Sequence, residues 1–184
     1  MRMPVSDRNG MYLRTVLALV MIVLAAVLRI VPHPWNFAPI GGMALFSGAM
    51  LRDKRLAFLF PLLTLFTGDL FIGFHKLIPI VYASTLVSVA LGFLLRTRHA
   101  PGRIVSVTLL GAMQFFLVTN FGVWLLLNTF PKTAAGLLAC YVAGAPLFWN
   151  TLAGDALYVT LLFGGFALAG RLFPVLQAPL AQRA

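Results

Sequence analysis

Acidic residues and cysteine are scarce in this sequence. Its 184 residues include four Asp and Glu residues together, all of them Asp, and the single Cys140. One thiol excludes an internal disulfide. The spacings HxxxH, HExxH and CxxC are absent, so no pattern typical of a zinc site is present. A P-loop and a dinucleotide fingerprint are absent, which leaves no sequence signal for nucleotide binding, and a nucleophile elbow is absent as well.

Apolar residues dominate the rest of the chain. They make up 61% of it, and the mean hydropathy is +0.96, which is more apolar surface than a soluble domain of this size could bury. The net charge is +10, but the basic residues form short clusters beside long apolar segments, unlike a nucleic-acid-binding surface. The composition predicts one integral-membrane domain over residues 1–184, with charge that serves orientation and contact with lipid headgroups.

Six apolar runs could form membrane spans, because a helix needs roughly 20 apolar residues to cross the hydrocarbon core. These runs cover residues 12–31, 37–51, 56–74, 77–95, 104–130 and 147–172. A further apolar piece, residues 134–145, is too short to span and lies between Pro131 and Pro146. It predicts a re-entrant or interfacial segment. We therefore expect an all-α membrane protein with six transmembrane helices and this segment between helices 5 and 6.

Lys and Arg are distributed unevenly between the gaps. Eleven of the fourteen fall in alternate gaps or at the ends of the chain, and the opposite gaps hold only Arg29, Lys76 and Lys132. Basic loops resist translocation and stay in the cytoplasm. The bias therefore predicts that both termini are cytoplasmic, in agreement with an even number of spans.

Polar side chains within the runs gather toward the opposite, outer ends. An unpaired polar group in hydrocarbon is costly, so such residues usually face protein or a wet cavity. The pattern predicts a binding site that opens outward. Its candidate residues are Asp69, Tyr82, Asn120, Trp124, Asn150 and Asp155. Arg29 could pair with either carboxylate, and both an Asp–Arg pair that locks helices and direct ligand contact stay open.

The stretch RIVPHPWNF before the second run is rich in proline. Proline fixes φ, so side chains in this stretch would be presented to a ligand at low entropic cost. Arg29, His33 and Asn36 are interpreted as ligand contacts, whereas Trp35 fits an interfacial aromatic belt. Cys140 has two interpretations, a small packed residue or a metal ligand.

Several motifs in this chain resemble those of a family of small bacterial membrane proteins. The first group is RxxPHPxNFxP from Arg29, followed by ALFxGA from Ala44. The second group is DxxxGxH from Asp69, VY at Val81, TNFxxW from Thr119, CY at Cys140, and Asn150 followed by GD at Gly154. That family is similar to the substrate-binding S components of energy-coupling-factor (ECF) vitamin transporters. The shared features are size, six predicted spans and a proline-containing first outer loop.

The resemblance implies a bacterial inner-membrane protein with the S-component fold, whose outer half encloses a vitamin-like molecule. The ligand contacts that it implies are His33, Asn36, Asp69, Tyr82, Asn120, Trp124, Asn150 and Asp155. Some solitary relatives resemble cobalamin transporters, which implies a corrinoid as one possible ligand, with Cys140 as a cobalt ligand. A transmembrane coupling protein and ATPases are the implied partners. The first run has only Ala18, Ala25 and Ala26 where S components often carry an Ala-x-x-x-Ala docking pattern.

Three functions are open on this sequence. The one-sided polar cluster favours a substrate-binding membrane subunit for uptake of a small vitamin-like molecule. The second function is an integral-membrane enzyme acting on a lipid-linked or periplasmic substrate, with Asp69, Asp155 and His33 as acid and base. The third is a structural partner that stabilises another membrane complex.

Overall fold

The computed structural model describes residues 5–28 and 34–176, with side chains except at residues 5–8 and 72. Within these ranges every regular element is helical. The α-helices are α1 (Val5–Leu28), α2 (Ile40–Met50), α3 (Lys54–Ile72), α4 (Ile78–Gly92), α5 (Pro101–Leu126), α6 (Ala134–Val159) and α7 (Gly165–Leu172). A 3₁₀ turn, Phe93–Leu95, extends α4, and a π-helical turn, Thr160–Gly164, joins α6 to α7 without a break.

Within the described ranges, four helical segments are long and apolar enough to cross a membrane, which is the composition of an all-α membrane protein. They are Asn9–Leu28, Ile78–Leu95, Pro101–Leu126 and Ala134–Leu172. The other two helices of the bundle differ from these. The apolar helix α2 has only 11 residues, and α3 has 19 residues but begins with Lys54 and Arg55.

The expected re-entrant segment is replaced by regular helix. Residues 134–145 are the first turns of α6, which continues through the π-helical turn into α7 as one helix of 39 residues. Pro146, expected to mark a boundary, lies inside α6. A proline removes one helix hydrogen bond, but membrane helices tolerate it where neighbouring groups satisfy the freed carbonyl. At 1.5 Å per residue this helix is about 58 Å long, well beyond the ~30 Å hydrocarbon core.

Helix α2 forms the centre of the bundle. It packs against α1, α3, α4, α5 and α6, and its residues from Gly42 to Ala49 are buried. The sequence IGGMALFSGAM is apolar or small on every side, which is typical of a helix that is surrounded by protein. Phe46 packs edge-on against Phe163, with 5.2 Å between the ring centroids.

Two glycines allow α2 and α4 to cross with their backbones in contact. A Cβ atom on Gly48 would overlap the Val89 carbonyl oxygen and lie 3.1 Å from the Cα atom of Gly92. A Cβ atom on Gly92 would overlap the Leu45 carbonyl oxygen. Membrane helices use small residues for such crossings, because lipid supplies no hydrophobic force to push helices together.

Basic residues from separate parts of the chain meet at one end of the bundle. The Arg52 guanidinium contacts the Met11 sulfur at 2.7 Å, and Arg96 donates to carbonyl oxygens at the end of α2. Arg14 and Arg171 line a common groove with the start of α5. We call this the basic end, and the opposite end, which holds the α3–α4 and α5–α6 connections, the polar end.

Candidate functional site

Helix α2 begins near mid-height in the bundle. Asp155, which contacts its first turn, lies about 32 Å from the start and about 26 Å from the end of the Ala134–Leu172 helix at helical rise. From there α2 extends only about 16 Å toward the basic end. Asp155 is therefore close to the middle of its helix rather than in the outer half, because the helix begins at Ala134 instead of residue 147.

Asp155 closes the amino end of α2. Its buried Oδ1 accepts a hydrogen bond from the Gly42 backbone N–H at 3.1 Å. Gly41 leaves room for the carboxyl group, since a Cβ atom there would lie 2.8 Å from Asp155 Cγ. The N-cap residue of α2, Pro39, makes no side-chain cap hydrogen bond. Asp155 thus supplies from α6 the acceptor that a Ser or Asp at the N-cap would provide.

Arg96 closes the carboxyl end of α2. Its Nε donates to the Gly48 carbonyl oxygen at 2.9 Å and its Nη2 to the Leu51 carbonyl oxygen at 2.7 Å. Burial lowers the pKa of the Arg96 guanidinium, which stays protonated because its ordinary pKa is so high. A carboxyl oxygen at the amino end and a guanidinium at the carboxyl end both match the helix dipole. Neighbouring segments therefore hold α2 at both ends.

Asp69 and Tyr82 join α3 to α4. The Tyr82 hydroxyl donates to Asp69 Oδ2 at 2.8 Å, and Asp69 is buried. Arg29, the expected partner of Asp69 or Asp155, and His33 lie outside the described residues. Their roles in the site stay predictions.

Asn120 lies at the contact between α5 and α6. Gly144 makes room for its amide, because a Cβ atom on Gly144 would lie 2.9 Å from Asn120 Cγ. The amide donates to the Phe116 carbonyl oxygen at 2.8 Å. The buried Cys140 thiol donates to the Asn120 carbonyl oxygen at 3.4 Å. Cys140 packs between helices, and the described residues contain no group of three or more His, Cys, Asp or Glu that could hold a metal ion.

A second polar cluster links α4 to α5, and the predicted site omits it. Gln114 Nε2 donates to the Ser84 carbonyl oxygen at 3.0 Å and to the Ser88 hydroxyl at 2.9 Å. The Ser84 hydroxyl donates to Gln114 Oε1 at 3.1 Å. The two serines are one helical turn apart on the same face of α4. That spacing, together with the lone Gln of the fifth run, is the sequence signal for this cluster.

Trp124 takes part in closing the turn after α5, which ends at Leu126 rather than at residue 130. The Lys132 ammonium donates to the carbonyl oxygens of Trp124 and Leu127, and the Trp124 indole donates to the Pro131 carbonyl oxygen at 2.9 Å. A cation that satisfies the last carbonyls stabilises a helix end. These contacts give Trp124 a structural role.

Asn36 and Asn150 shape the chain where it enters α2. The Phe37 N–H donates to the Pro34 carbonyl oxygen at 3.0 Å, and Asn36 has a φ of 62°. A type II turn requires a positive φ at this position, and Asn tolerates it. The Asn150 amide donates to the Trp35 carbonyl oxygen at 3.0 Å. The Trp35 side chain itself is 83% exposed.

The predicted residues form separate contacts, and three of them share one level. Ile80 of α4 packs against Gly122 of α5. Helices α4 and α5 are antiparallel, and Tyr82 and Asn120 each lie two residues from this contact in the direction of the basic end. These two residues therefore lie at the same height. Asp69 joins this level through Tyr82. The other predicted residues in the described chain contact turns or α2 instead: Asn36, Trp124, Asn150 and Asp155.

The chain belongs to the family of unknown function DUF6580, whose model matches residues 10–176. This match covers α2 to α7 completely and α1 except for its first residues. Neither the curated proteins nor the solved structures include a match to this chain.

Proposed function

We propose that this DUF6580 member is a substrate-binding membrane subunit for uptake of a small vitamin-like molecule, as its resemblance to ECF S components implies. The proposal rests on helix α2, whose 11 residues are about half the number needed to cross the hydrocarbon core. It begins near mid-height, below an irregular segment, residues 34–39. Irregular backbone at membrane depth is tolerated where it is buried in protein or lines a cavity. Transporters commonly place their substrates at the ends of such discontinuous helices.

Asp69, Tyr82 and Asn120 supply the recognition chemistry at the level above α2. They offer a carboxyl group, a hydroxyl and an amide, which can donate to and accept from polar groups of a small ligand. Arg29 and His33 complete this set in the proposal. Four further predicted residues act on the ligand indirectly in this proposal, because they hold the turn before α2, the start of α2 and the turn after α5: Asn36, Asn150, Asp155 and Trp124.

The proposal includes six crossings with the basic end in the cytoplasm. In that arrangement α3 crosses as a full span, and α2 crosses with the segment before it. Two matched cysteine variants test the sidedness in a Cys140→Ala background. In spheroplasts, a membrane-impermeant maleimide is expected to label Thr129→Cys at the polar end and to leave Thr97→Cys at the basic end unlabelled. The opposite labelling pattern would contradict uptake from the polar end.

Ligand binding is tested with purified protein. We expect a small molecule to co-purify, to be identifiable by mass spectrometry, and to rebind saturably when added back, with cobalamin as a second defined probe. Asp69→Asn and Asn120→Ala are each expected to weaken this binding at least tenfold, which corresponds to about 1.4 kcal/mol.

The controls are Asp53→Asn and Asn128→Ala, which change the same residue types at exposed positions outside the site. Asp53→Asn keeps an acceptor for the Arg55 N–H at the start of α3. Equal binding by the site variants and the controls would overturn the site assignment. Chemical conversion of the added molecule would favour the enzyme instead.

Energy for uptake would come from a coupling protein and ATPases. Ala18 and Ala25 are buried within the bundle, so these two alanines are not accessible to a coupling protein.

A further inference from the structure

The basic end contains a groove that the proposed uptake site does not use. Its volume is about 710 Å³, and it lies between Arg14 of α1, the end of α2 at Met50, the start of α5 and the helix from Val159 to Arg171. Phe163, Phe166 and Ile104 form much of its apolar wall. Its size is within the range of small-molecule pockets.

The π-helical turn Thr160–Gly164 and the small residues after it keep this groove open. Gly164, Ala167 and Gly170 line it, and a Cβ atom on either Gly164 or Gly170 would meet no other atom within 4 Å. π-Helical turns widen a helix locally and often occur at functional sites. Because these residues have small side chains or none, the α6–α7 side of the groove leaves space for a long apolar group.

The rim of the groove is basic. Arg14 and Arg171 line it together with His99, and no Asp or Glu is among its described lining residues. The Arg14 guanidinium lies 5.6 Å from the centroid of the Phe166 ring, so it is positioned where the apolar wall meets the rim. Two guanidinium groups above an apolar channel are complementary to an anionic headgroup above an acyl chain.

We propose that this groove binds one anionic phospholipid, with its phosphate at Arg14 and Arg171 and one acyl chain along Phe163 and Phe166. Basic pockets between membrane helices bind anionic lipid headgroups in this way. A zwitterionic lipid offers the same chain but a headgroup whose own cation opposes the arginines. The groove therefore selects by charge.

The test uses the full-length protein in nanodiscs of phosphatidylcholine with a minor fraction of phosphatidylglycerol, followed by release into detergent and native mass spectrometry. One retained phosphatidylglycerol per protein is expected. The double variant Arg14→Gln/Arg171→Gln is expected to lower this occupancy at least fivefold. Arg98→Gln/Arg103→Gln removes the same charge from the connection before α5 and from its first turn, outside the groove, and is expected to retain the lipid.

Ala167→Phe provides a second variant, since it fills the groove without changing charge and should release the lipid. Equal retention of phosphatidylcholine, or equal loss in the two double variants, would overturn the proposal. A photo-crosslinker in place of Thr160, which lines the groove, identifies the occupant directly. A phosphatidylglycerol adduct supports the proposal, whereas an adduct with residues 177–184 or with a second copy of the chain overturns it.

Discussion

Gly92→Val is expected to abolish the folded protein. The new Cβ atom would overlap the Leu45 carbonyl oxygen on α2, and no rotamer relieves this overlap because it involves Cβ itself. Helix α2 cannot move away from α4, since α1, α3, α5 and α6 also pack against it. Overpacking of a core commonly costs about 1–3 kcal/mol. A backbone overlap at a helix crossing should exceed about 4 kcal/mol, a large part of a typical folding free energy.

The measurement is the yield and melting temperature of monodisperse protein in detergent. Gly48→Val should behave like Gly92→Val, because its Cβ atom would overlap the Val89 carbonyl oxygen. Gly102→Val is the matched control: a Cβ atom at Gly102, in the first turn of α5, would meet no atom within 4 Å. We expect the control to fold. Normal yield and melting temperature for Gly92→Val would show that α2 and α4 do not cross at these glycines.

Asp155→Leu is expected to lower the free energy of unfolding by about 1–3 kcal/mol, because it leaves the buried Gly42 N–H without its acceptor. Asp155→Asn keeps a carbonyl oxygen in the same place and should lose clearly less. Arg96→Gln at the other end of α2 removes donors to Gly48 and Leu51. It should cost a similar amount, because hydrogen bonds from charged groups are among the stronger ones.

The two ends of α2 are about 16 Å apart, so the effects of Asp155→Leu and Arg96→Gln should add in the double variant. Arg98→Gln, at an exposed arginine two residues from Arg96, controls for loss of basic charge and should leave stability unchanged. Melting curves of the purified variants provide the comparison. If Asp155→Leu is as stable as the unmodified protein, Asp155 does not cap α2, and its burial needs another explanation.

The amino-acid sequence was sufficient to predict most of the helices. Its composition predicts a membrane protein, and runs such as residues 77–95 and 56–74 correspond closely to observed helices. The reason is that a segment in hydrocarbon must satisfy its backbone hydrogen bonds internally, so a long apolar run forms a helix. Alternation of the basic gaps also predicts which connections share an end.

The local sequence pattern predicted the helix ends poorly. Pro146 and the short apolar piece 134–145 suggested a separate segment, yet both lie in α6. A proline changes one hydrogen bond, whereas the packing of α6 along α5 involves many residues. Lys132 ends α5 through contacts with Trp124 and Leu127, which no periodicity in the sequence encodes.

The sequence by itself determined the membrane class, the helical content and the grouping of basic connections, because these follow from hydropathy and charge along the chain. Only the tertiary structure decided that α2 is a half-length central helix, that Asp155 and Arg96 hold its two ends, and that Tyr82 and Asn120 share a level. These features depend on contacts between residues far apart in the sequence. Such contacts are set by how five other helices pack around α2, which no single segment specifies.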